Sequence, residues 1–133
     1  MAVKGAGIFE NEDAVEWLDS FESDGPQAIE TALTGAADLG KTDYLEATDA
    51  AYALAAAELV ASARDGEIAG LPDDFSPRFA EHVDDINDAE LVPLARKAVL
   101  RVLKSSELKD MAQDSADEEW EESVRELLER LKG

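Results

Sequence analysis

Trp120, Val124, Leu127, Leu128 and Leu131 stand at i, i+4, i+7, i+8 and i+11. That spacing puts all five on one side of an α-helix and on both faces of a β-strand, so only the helix buries them together. Ser115 followed by Glu118 forms a capping box just ahead of the run, which fixes where the helix begins. The same period recurs along most of the chain, and no segment shows clean strand alternation. The expectation is an all-α fold: a compact bundle of five or six helices with one long loop, forming a single all-helical domain over 1–133.

The remaining helices follow from their stop and start signals. Asn11 is a good N-cap, with Glu12 and Asp13 at the positive end of the helix dipole behind it. Ala14, Trp17, Leu18 and Phe21 make the buried stripe of this first helix. Asp24-Gly25 stops it and caps the second, which has Pro26 in its first turn, buries Ile29, Leu33 and Ala36, and ends at Gly40. Thr42 or Asp43 caps a third helix over 44–64, with a stripe of Leu45, Thr48, Tyr52, Ala55 and Leu59 and Gly66 beyond its end. Asp65 to Phe79 has no period and is rich in Gly, Pro and Asp, which marks the long loop. Ser76-Pro77 starts a short helical piece to Asp85. Asn87 or Asp88 opens a helix with a stripe of Leu91, Leu94, Ala95, Ala98, Val99, Val102 and Leu103, and Pro93 falls near its start. Ser105-Ser106 opens a short turn of helix before the last one.

Charge limits the partners. The chain has 32 Asp or Glu against 12 Lys or Arg, a formal net charge of -20. Such a field repels phosphate backbones and anionic lipid, so neither nucleic acid nor membrane is expected as a partner. Three readings of the charge compete: a solvated surface, a surface for a basic protein partner, and adaptation to a salty cytoplasm. Arg96, Lys97, Arg101, Lys104 and Lys109 gather in the stretch 93–109, where they can neutralise acidic neighbours inside the fold or, on a sharper reading, hold an anion. Cys is absent, and no run has signal-peptide or membrane-span character, so a soluble cytoplasmic protein is expected.

No catalytic constellation is legible. Thirteen pairs of acids lie three residues apart, where random placement gives about seven or eight. The excess has a plain source: Glu10, Asp13, Glu16, Asp19 and Glu22 form a charged face opposite Trp17 and Leu18. Glu107/Asp110 precedes Glu119/Glu122, the reverse of the order in helical Mg²⁺-binding pyrophosphatases, so no metal site is expected. His82 is the single histidine; with Asp85 it is the candidate catalytic pair of an alternative reading, a small metal-dependent hydrolase. Phe79 occupies the place where a di-iron bundle needs Glu. Gly5 and Gly7 lack the preceding strand and third glycine of a dinucleotide loop, so no cofactor is expected; they turn the chain, and Phe9 packs beside the first helix.

Those opening residues also carry a resemblance. Gly5, Gly7, Phe9, Asn11, Ala14, Glu16 and Trp17 stand as in a bacterial family known as domain of unknown function 4259, with Ile8 in place of its proline and Glu12 in place of its Asp. The ending, from "SELKDM" through Trp120 to "LLERL", is similar as well, though Ala112 stands where the family has a Trp. The resemblance implies a small all-helical protein and no activity. With the charge and the lack of a catalytic set, it leaves the function unknown. The favoured expectation is a non-catalytic interaction module, an adaptor, inhibitor or immunity-type protein with a basic protein partner.

Overall fold

The computed structural model describes residues 12–38, 44–65, 90–104, 106–114 and 118–132. They form six helices: α1 (Glu12–Asp24), α2 (Pro26–Ala37), α3 (Ala47–Asp65), α4 (Leu91–Lys104), α5 (Glu107–Asp114) and α6 (Glu118–Lys132). No strand occurs among the described residues, so the fold is all-α as the periodicity requires. None of the helices is long and apolar enough to cross a membrane.

The corner between α1 and α2 takes one residue. Gly25 has φ +71° and ψ −153°, a conformation essentially confined to glycine. Its N–H donates to the Phe21 carbonyl at 2.7 Å, which closes α1, and its carbonyl accepts the Ala28 N–H at 3.0 Å, which starts α2. Gly25 is therefore the N-cap of α2 and no side chain caps that end; Pro26 follows at the first position. At the other end the Asp38 N–H donates to Thr34, and α2 stops at Ala37, short of the Gly40 boundary read from the sequence.

The centre of the molecule is α3. It packs against α1, α2, α4, α5 and α6. The spacing suggests one apolar stripe for it; instead Ala50, Ala51, Ala53 to Ala57, Leu59, Val60, Ala61 and Ala63 are buried around the helix, whereas Thr48 of the expected stripe is exposed. A helix wrapped by neighbours needs no polar face. Its alanines let those neighbours approach closely, since the interaxial distance follows the side chains at the contact. Its start is corrected too. Residues 44–46 are not helical, because the Leu45 carbonyl accepts the Glu107 N–H at 2.8 Å and so joins α5 instead of the α3 ladder.

Three charged side chains meet where α3 packs on α6. Glu58 of α3 is buried, and its Oε2 accepts from Arg130 Nη1 of α6 at 2.6 Å and from Ser62 Oγ at 3.1 Å. Arg130 Nη2 donates to Ser62 Oγ at 3.3 Å. Arg64 Nη1 donates to the carbonyls of Arg130 and Leu131 at 3.2 and 3.1 Å, satisfying the end of α6. Polar bonds thus set the register of α3 on α6.

The predicted stripes of the outer helices hold. Leu91, Ala95, Ala98, Val99, Val102 and Leu103 of α4 are buried, with Leu94 half-buried, as are Val124, Leu127 and Leu131 of α6. Pro93 sits exposed in the first turn of α4, where its missing N–H has no helical partner to lose. Ser106 caps α5: its Oγ accepts the Lys109 N–H at 3.1 Å and donates to the Val102 carbonyl at 2.8 Å. Asn11, Gly40, Thr42, Asp43, Gly66, Asn87, Asp88, Ser105, Ser115, the segment 66–89 and the glycine turn at Gly5 and Gly7 with Phe9 lie outside the described residues.

Candidate functional site

The α1–α2 corner shapes a cleft against α3. Trp17 and Ser20 come from α1, Asp24 from its last position, Gln27, Ala28, Thr31 and Ala32 from α2, and Tyr52 from α3. The cleft encloses about 340 Å³. Trp17 is only 3% exposed and tilted against Phe21 with ring centroids 6.0 Å apart, so the indole that lines the cleft is held in place by the core. Tyr52, half-buried, belongs to the same lining. Ser20, Asp24, Gln27 and Thr31 are exposed and form the rim. A cleft lined by two aromatic side chains and four exposed polar ones has the make-up of a small binding site.

The surroundings are of one sign. Between Lys4 and Lys41 the sequence has no Lys, Arg or His and nine Asp or Glu. The structure folds the described part of this stretch into the α1–α2 pair, where Glu16, Asp19, Asp24 and Glu30 are exposed. No described cation lies within ion-pair distance of these four. The cations gather elsewhere. Lys97 of α4 reaches Asp38 at 3.9 Å with both side chains exposed, a contact worth little in water. Lys109 Nζ donates to the Lys104 carbonyl at 3.3 Å, capping α4. Both contacts serve the fold, the first by neutralising an acidic neighbour.

A second polar feature lies at α5. The exposed Tyr44 hydroxyl donates to Asp110 Oδ2 at 2.8 Å. That bond to a carboxylate holds the proton on the phenol and pushes its pKa up to about 12; desolvation and the charges of Asp110, Glu107 and Asp114 add in the same direction. With the bond from the Glu107 N–H to Leu45, it pins the segment ahead of α3 to the start of α5.

His82 and Asp85 lie outside the described residues. Of the acid pairs considered for metal, Glu107/Asp110 is on α5 with Asp110 engaged by Tyr44. Among the described residues no group of three or more His, Cys, Asp or Glu is arranged to hold a metal ion. The structure instead brings together in one cleft Trp17, Ser20, Asp24, Gln27, Thr31 and Tyr52, which no motif in the sequence groups. Two signals in the sequence mark it: the base-free stretch between Lys4 and Lys41, and the spacing of Ser20, Asp24, Gln27 and Thr31 by four, three and four across the Gly25 corner.

Comparison with known proteins gives one match. The family model described as "Domain of unknown function (DUF4259)" matches residues 3–123. No curated protein and no solved structure matches the chain.

Proposed function

Because the chain belongs to the DUF4259 family, whose description carries no activity, we propose its function from its own surface: it is a non-catalytic interaction module for a basic protein partner. The observation that carries this is the α1–α2 pair, which exposes Glu16, Asp19, Asp24 and Glu30 and contains no basic residue. Like charges packed onto one helical pair repel one another, and a cationic partner relieves that repulsion on binding. Such a face also steers a basic protein into encounter from several ångströms away, within a Debye length of about 8 Å at physiological salt.

Affinity capture tests the reading. Immobilised wild type is compared with a Glu16→Lys/Asp19→Lys variant in cell lysate at low and high ionic strength. The expected result is a set of basic proteins held by wild type, released by salt and lost with the variant. Equal retention by the variant, or nothing retained at any ionic strength, contradicts it.

A further inference from the structure

We propose that the cleft between α1, α2 and α3 is the anchor of that interface and takes one lysine or arginine side chain of the partner protein, an inference that rests on the reading of the chain as a binder of basic proteins. The charge decides the class of occupant. The C-terminal end of α1 and the N-terminal end of α2 meet at Gly25, so their opposed half-charges cancel and the full negative charge of Asp24 remains at the rim. Among the described residues that line the cleft there is no Lys, Arg or His, and the exposed carboxylates of Glu16 and Asp19 stand on the same helix as Asp24.

The floor decides the shape. Trp17 and Tyr52 line the cleft and offer apolar surface to the methylenes of a long side chain. Asp24 receives the ammonium or guanidinium, and the oxygens of Ser20, Gln27 and Thr31 accept its remaining N–H groups. A volume of about 340 Å³ is at the lower end for ligand sites, which suits one side chain and not a peptide segment. The interface then has two parts: a broad acidic face that attracts, and a single pocket that fixes register.

The test is amide and indole NMR of the full chain with Nα-acetyl-lysine methylamide and its arginine counterpart, beside the neutral norleucine analogue. The basic probes are expected to move the Trp17 indole and the Gln27 and Thr31 amides with millimolar affinity, as suits a ligand of so few atoms. Asp24→Asn should weaken them about threefold, and Thr31→Arg, which puts a cation in the pocket, should abolish the shifts. Both positions are exposed, and each variant's own spectrum reports its folding. Equal shifts from norleucine, or an Asp24→Asn variant that binds as well as wild type, overturn the proposal. An oligolysine probe separates the two levels. Shifts at Glu16 and Asp19 without any at Trp17 overturn the pocket and leave the acidic face standing. No shift anywhere overturns both.

Discussion

Arg130→Met should be the most damaging conservative change on the α6 surface, because it takes the 2.6 Å guanidinium partner away from a buried carboxylate. Glu58 keeps only 8% of its side chain exposed, against 25% for Arg130, and their 2.6 Å contact shares an oxygen with Ser62. Removing one member of a buried pair costs about 3–5 kcal/mol, since the other is left desolvated. Two features lower that figure here. Ser62 still donates to Glu58, and the quarter-exposed guanidinium was already partly screened by water. The expected loss is about 2–3 kcal/mol, or roughly 6–12 °C in Tm for a chain of this size. Glu58→Leu should cost less, because Arg130 can swing into solvent. The double variant, with both charges gone, should lie within about 1 kcal/mol of wild type. Urea denaturation of the four proteins closes the cycle. An Arg130→Met variant within about 0.5 kcal/mol of wild type, or a double variant as unstable as the two single losses added, would refute the reasoning.

Three further outcomes follow from single contacts. The Tyr44 pKa, raised from 10.0 to about 12, contributes stability that is complete below pH 10 and lost as pH rises from there through 12; ultraviolet titration should show a phenol step near pH 12 that Tyr44→Phe removes. Gly25→Ala meets no atom within 4 Å, so its whole cost is backbone strain, about 1–3 kcal/mol by thermal melting; a neutral result would mean the corner relaxes to another conformation. Ser106→Ala loses both the cap of α5 and the bond to Val102 and should cost about 1–2 kcal/mol, and Ser106→Thr should recover part of it.

The outer helices were legible because their residues face two different solvents. Val124, Leu127 and Leu131 turn inward while Glu122, Arg125 and Glu126 turn out, and the alternation writes the period into the sequence. The central helix was misread for the opposite reason. Surrounded by neighbours, α3 has no broad outer face to mark, and Glu58 in its middle is buried against Arg130, 72 residues away. The start of α3 was placed early because Tyr44 and Leu45 fit the helical spacing, while what holds them is α5, through Asp110 and Glu107. Long-range polar partners leave no local signature. The cleft is hidden likewise: its polar residues are in helical register only across a one-residue corner, and Trp17 and Tyr52 fit the core stripes of their helices.

The association rate of the chain with a basic partner, followed across ionic strengths, tests the central claim most directly. If the α1–α2 face steers the encounter, the wild-type rate should fall by about tenfold or more from low to high salt, and the Glu16→Lys/Asp19→Lys variant should begin low and change little. A wild-type rate that does not respond to salt, or a variant that keeps the wild-type rate and slope, would contradict the account.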